Sequence, residues 1–182
     1  MDLAIISDSH IPGRATAIPD PFAEKIAVAD HTIHAGDFET RAVVEEVASL
    51  ANEFTAVHGN ADPPNIGLPA VAAVDAGEIT FVVTHGTLNH VEAAVYGKDG
   101  MVFGGEEWVR AIADTARART RIWDGDGVIG IGGHTHAVED TVYEGIRVLN
   151  PGSVTGADPA EQATMMTAEV DGDDVEVTLH EV

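Results

Sequence analysis

Five apolar runs in this chain end in the same kind of residue, and that repetition restricts the fold more than any other feature. "LAIISDSH" runs into Asp8 and His10, "HTIHAGD" into Asp37 and "EFTAVHGNAD" into Asn60. "ITFVVTHG" then runs into His85, and "GVIGIGGHTH" into His134 and His136. Short apolar runs bounded by glycine-containing turns read as buried strands. In open α/β sheets, ligands bind just beyond the carboxyl ends of the strands. Such a chain is expected to bring its strand ends to one edge. On extended backbone, residues two apart point the same way, so Asp8 and His10 should pair on one side, and His134 with His136. The glycines beside them would let neighbouring groups approach closely.

Taken singly, each residue has an ordinary explanation. Asp8 and Asp37 could cap helices or turns, Asn60 could make a turn before Pro63, and His85 could be a hydrogen-bonded core histidine. Their joint occurrence is what favours a site. Seven oxygen and nitrogen donors exceed one tetrahedral zinc and suit two ions sharing a carboxylate, with manganese, iron or zinc as candidates.

The intervening segments set the fold class. "DPFAEKIAVAD" and "TRAVVEEVASLA" have helical spacing between the first three strands, which predicts a parallel sheet with right-handed crossovers. Later come three hairpins, turning near Asp75-Ala76-Gly77, Glu144-Gly145 and Asp171-Gly172, with a helix over "EEWVRAIADTARARTRIW" between the first two. The expectation is an α/β fold of two mixed sheets packed face to face with helices outside, as one domain over residues 1–182.

Charge narrows the partners. Thirty-one acidic residues face nine basic ones, a net charge of −22 that should repel nucleic acid and anionic membranes. Only Lys25 and Lys98 are lysines, and the acid excess is spread along the chain, which points to a salt-rich cytoplasm where repulsion is screened. No apolar run reaches membrane-spanning length, the N-terminus reads as a first strand, and cysteine is absent, so a cytoplasmic location is expected. The oligomeric state leaves no trace in the sequence.

"SDSH", "HAGD", "HGNAD", "THG", "GGHTH" and "NPGS", in that order, resemble the calcineurin-like metallophosphoesterase superfamily, in particular its small archaeal and bacterial phosphodiesterase branch. The resemblance extends from the first strand to Ser153 and implies a four-layer αββα sandwich. It implies that Asp8, His10 and His136 hold one divalent ion, that Asn60, His85 and His134 hold a second, and that Asp37 bridges them. The implied chemistry is hydrolysis of a small phosphoester, most simply a phosphodiester, by a metal-activated hydroxide. Manganese is the expected metal, with nickel, zinc or iron(II) as alternatives. A eukaryotic retromer subunit shares this fold and serves mainly as a protein-interaction platform, so a metal-binding or interaction scaffold is the alternative reading.

Three departures from the family pattern matter. Many relatives follow the metal-binding asparagine with a proton-donating histidine; here Ala61 stands there, and Asp62 and His58 are general-acid candidates by sequence proximity alone. Thr87 replaces the histidine of an "HGH" pattern. His85 and His134 are 49 positions apart, longer than usual in the branch. The extended segment, residues 87–123, could form a lid or a substrate cap through Arg110, Arg117, Arg119 and Arg121. The preferred reading of those arginines is a surface helix with acids at its start and bases at its end.

Overall fold

The computed structural model describes residues 1–87, 105–121 and 126–182. The first three strands, β1 (Asp2–Ile6), β2 (His31–His34) and β3 (Phe54–Ala56), are parallel neighbours. Helices α1 (Asp20–Val28) and α2 (Arg41–Leu50) make the crossovers. Pro21 fits the first turn of α1, where its missing N–H would have no helical partner, and the helix buries Phe22 and Ile26. In α2 the Thr40 hydroxyl caps the helix by accepting from the Val43 amide at 3.3 Å, and Val43 and Val47, four apart, face inward.

The second sheet has the order β4 (Val71–Ala76), β5 (Ile79–Thr84), β6 (Val128–Ile131), β8 (Ile146–Pro151), β7 (Val138–Tyr143). Within it β5, β6 and β8 run parallel, and the β4–β5 and β7–β8 hairpins are antiparallel. The β4–β5 hairpin pairs Ala76 with Ile79, so its turn falls at Gly77-Glu78, slightly later than expected. The last hairpin, β9 (Thr164–Asp171) and β10 (Asp174–Glu181), returns to the first sheet, where β9 pairs antiparallel with β1. That makes both sheets mixed and five-stranded.

Period-2 alternation sorts the core into layers. Leu3, Ile5, Phe81, Val83, Ile129 and Ile131 point between the sheets. Ala4 and Ile6 point outward onto α1 and α2 with Phe22, Ile26, Val43 and Val47. Val82, Val128 and Val148 point the other way, onto Trp108, Ile112 and Ala116 of α3 (Gly105–Thr120). The result is the expected four-layer αββα sandwich. Fully burying a side chain the size of Phe22 or Ile26 contributes about 1.5–3 kcal/mol, which keeps the outer helices in place.

The expected lid covered residues 87–123. Of that stretch, α3 is an integral outer layer, while residues 88–104 and 122–123 lie outside the described residues. Two of the arginines of α3 are held by partners within the fold, and one of them is buried instead of lying on the expected surface. Arg110 pairs with Asp114 at 3.5 Å. Arg117 is buried and donates to the Glu144 carbonyl at 2.6 Å, which ties α3 to the β7–β8 turn. Among the described residues, no helix is long and apolar enough to cross a membrane.

Candidate metal centre

All seven expected donors lie just beyond the carboxyl ends of the parallel strands β1, β2, β3, β5 and β6. They form two clusters. Asp8, His10 and His136 present ligand atoms within 4.8 Å of one another, and so do Asp37, His85 and His134. Asn60 joins the second cluster, its Oδ1 lying 3.1 Å from His85 Nε2.

His134 and His136 part company, one to each cluster. The reason is backbone conformation: the segment after β6 is not extended, and both residues adopt left-handed backbone, with φ of 71° and 56°. Asp8, His10 and Asp37 do the same, at 52°, 45° and 64°. For L-residues that region costs roughly 1–2 kcal/mol each, somewhat less for Asp and His. Strain of this kind, concentrated on five of the seven donors, marks a functional site.

The glycines between strand and donor admit neighbouring groups, as expected. A Cβ at Gly133 would come within 2.6 Å of both Asp8 Oδ2 and Ser7 Oγ. One at Gly59 would come within 2.7 Å of the Asp37 amide. Gly86 and Gly132 make room for the buried Trp108 and Ile112 of α3, so the outer helix backs the loops that carry His85 and His134.

A shell of hydrogen bonds fixes each donor. His85 Nδ1 donates to the Ala35 carbonyl and His136 Nδ1 to the Ala157 carbonyl, each at 2.7 Å. Glu39 Oε1 lies 3.1 Å from His10 Nδ1, and its Oε2 accepts from the Gly13 amide at 2.7 Å. All three rings therefore turn Nε2 inward, where it can serve as a ligand once it carries no proton. Asp8 accepts from the His134 amide at 2.9 Å and from the Ser7 hydroxyl. Asp37 Oδ1 accepts from the Ala61 amide at 2.7 Å. The "NPGS" stretch also finds its use: Asn150 donates to the Gly133 carbonyl at 3.1 Å, and Ser153 donates to the Asp8 carbonyl at 2.8 Å.

Asp62 and His58 are placed differently. Asp62 Oδ1 accepts from the amides of Phe38 and Glu39, and Oδ2 from those of Asp37 and Gly59, at 2.8–3.0 Å. Those four bonds engage both oxygens and join the Asp37 and Asn60 loops. His58 is exposed, and among the described residues no side-chain hydrogen bond or ion pair ties it to either cluster. Sequence reasoning passed over Glu39, because a lone carboxylate in so acidic a chain carries no distinguishing pattern. It also passed over His34, a buried ring that bonds the Ser9 hydroxyl at 2.7 Å and accepts from the Gly36 amide at 3.1 Å.

The electrostatics fit cations. Burial favours the neutral form of His85, but the Asp37 hydrogen bond and the charges of Asp8 and Asp37 outweigh it and raise the ring to about 9. Burial opposes ionisation of Asp37 too, yet the His85 contact and the Ala61 amide hold it down at about 2. His136 is likewise raised despite burial, by Asp8, and Asp8 is lowered despite burial, by His136 and His85. His134 is pushed down to about 4, by burial and then by the charge of His85, and burial pushes His34 down to about 3.

Each cluster thus holds one raised imidazole among its donors, where a cation is favoured. His10 Nε2 and His136 Nε2 face each other at 3.1 Å, so with both Nδ1 atoms protonated their lone pairs converge. Among the described residues, His134 Nε2 is buried without any hydrogen-bond partner. Converging lone pairs, an orphaned ring nitrogen and two ionised carboxylates are a donor set that divalent ions satisfy.

The sequence matches the calcineurin-like phosphoesterase superfamily domain over residues 1–173. It is 28% identical to a probable metallophosphoesterase of Methanocaldococcus jannaschii over 155 residues, 85% of this chain and 69% of the relative. It is 26% identical to one from Methanothermobacter thermautotrophicus over 180 residues, 98% of this chain and 91% of the relative. Among solved structures it is similar in fold to zinc-complexed Vps29 from Entamoeba histolytica. That likeness has a TM-score of 0.72 at 23% identity and covers 100% of this chain and 98% of the other.

Proposed function

Because this chain belongs to the calcineurin-like phosphoesterase superfamily, we propose that it is a metal-dependent phosphodiesterase acting on small phosphodiesters. One observation carries the reading: Asp37 Oδ2 lies 3.4 Å from His10 Nε2 and 3.3 Å from His85 Nε2, so a single carboxylate reaches both donor clusters. A pair of divalent ions, manganese first among the candidates, supplies Lewis acidity and an activated water for attack at phosphorus.

The remaining work falls to the chain's own residues. Asp8, His10 and His136 would hold one ion and Asn60, His85 and His134 the other, with Asp37 within reach of both. Glu39 and the carbonyls of Ala35 and Ala157 keep three imidazoles in the inward Nε2 orientation. Asp62 holds the Asp37 and Asn60 loops in mutual register. At Ala61 the chain offers a backbone amide to Asp37 and no acid to a leaving group. Esters with good leaving groups therefore suit it best, and His58 is the remaining general-acid candidate.

The test is a screen of phosphoesters with manganese, nickel, zinc and magnesium, at low and molar salt. Chelator-sensitive hydrolysis of bis-nitrophenyl phosphate is expected, and no turnover of any ester with any metal would sink the reading. A scaffold of the same fold draws support from the likeness to Vps29. Its signature in the same screen would be bound metal without turnover.

A further inference from the structure

Arg14 stands at the rim of the first cluster and has no part in the chemistry described above. It lies in the loop leaving His10, whose carbonyl accepts from the amides of Arg14 at 2.9 Å and Ala15 at 3.1 Å. Glu39, which holds the His10 ring, also holds the Gly13 amide at 2.7 Å, so the loop is fixed on either side of the ligand. The Arg14 side chain reaches across to the segment that orients His136. Its Nη1 donates to the Asp158 carbonyl at 2.8 Å, one peptide beyond the Ala157 carbonyl that anchors His136 Nδ1.

The guanidinium is exposed and, among the described residues, has no carboxylate partner. Arg41, Arg117 and Arg147 each have one: Glu45 at 3.0 Å, Glu144 at 3.4 Å and Asp140 at 2.7 Å. Among the described residues Arg119 and Arg121 also lack a carboxylate partner, so what singles out Arg14 is its place, between the His10 loop and the segment that anchors His136. A carbonyl contact leaves its charge in place and most of its five N–H donors free, in a fork that matches the planar oxygens of carboxylate or phosphate.

Resting on the phosphodiesterase reading, we propose that Arg14 is a specificity residue. It grips a second anionic group, a phosphate or carboxylate, on a substrate whose scissile phosphate lies over the metal donors. The favoured substrates are then small phosphodiesters bearing a further negative charge, and uncharged dialkyl or diaryl phosphates are only partial mimics of them.

The test compares inorganic phosphate with phosphoglycolate, which adds one carboxylate, by calorimetric titration into the manganese-loaded protein. The wild type should bind phosphoglycolate about tenfold more tightly than phosphate, the size of one charge-assisted contact. Arg14→Gln should erase that difference while phosphate affinity and metal content stay as they are, and Arg14→Lys should keep part of it. Equal losses for both ligands, loss of metal, no difference in the wild type, or no binding of either would each overturn the assignment. Turnover of bis-nitrophenyl phosphate is followed alongside. A wild type that shows the phosphoglycolate preference but cleaves no ester would refute the phosphodiesterase reading and leave the anion site standing.

Discussion

Metal binding at this centre should release protons, because His85 must lose one before its Nε2 can serve as a ligand. With the ring raised to about 9 in the metal-free protein, it is roughly 99% protonated at pH 7. Displacing that proton lowers the apparent affinity about 100-fold relative to the neutral ring, an order of 3 kcal/mol. The apparent affinity of the Asp37/His85/His134 cluster should therefore rise about tenfold per pH unit between pH 7 and 8.5. His136, also raised, adds to the release from the first cluster. Stability of the metal-free protein runs the opposite way. The His85 contribution is complete below its ordinary value of 6.5 and is lost as pH climbs through about 9. The Asp37 contribution is complete above 3.8 and is lost as pH falls through about 2. Calorimetric titration of manganese into stripped protein, in two non-coordinating buffers of different ionisation enthalpy, counts the protons. About one or more per chain is expected at pH 7. No release, with affinity flat from pH 6.5 to 8.5, would refute the pairing of His85 with Asp37.

Glu39→Ala should weaken metal binding about 10–100-fold at the first cluster by freeing the His10 ring, and Glu39→Gln should recover part of it; chelator competition measures both. Ala61→His should speed alkyl phosphodiesters much more than nitrophenyl ones, because general acid catalysis, typically 10²–10⁴-fold, matters most for poor leaving groups. Similar wild-type rates on the two ester classes would mean that a proton donor is already present. Thermal melts should show a midpoint that climbs from low to several-molar potassium chloride, since 31 acidic residues repel one another unless screened. A flat or falling midpoint would remove the salt-adapted reading and leave the metal centre untouched.

The donors were legible because they are few in kind and stand at strand ends, where parallel α/β sheets gather their ligands. Their backbone was not. Asp8, His10, His134 and His136 look like extended i, i+2 pairs in sequence, and only the folded loops show left-handed turns that separate His134 from His136. The two sheets were legible from their hairpins, but nothing in the alternation of β9 says that it pairs with β1 and not with a strand of the second sheet. Asp62 drew notice through its nearness to Asn60; its bonds to the amides of Asp37, Phe38 and Glu39 depend on a loop some 25 positions away. Glu39 went unseen for the same reason, since its contacts with His10 and Gly13 cross between the β1 and β2 loops.

The central claim, that one carboxylate joins two ion sites, is tested most directly by counting metal in wild-type protein and in Asp37→Asn, purified without chelator and loaded with manganese. Asp37 touches His10 at 3.4 Å and His85 at 3.3 Å, so the account predicts two ions per wild-type chain and loss of both in the variant, whereas Asp8→Asn loosens mainly one. An Asp37→Asn protein that still holds two ions per chain would contradict it.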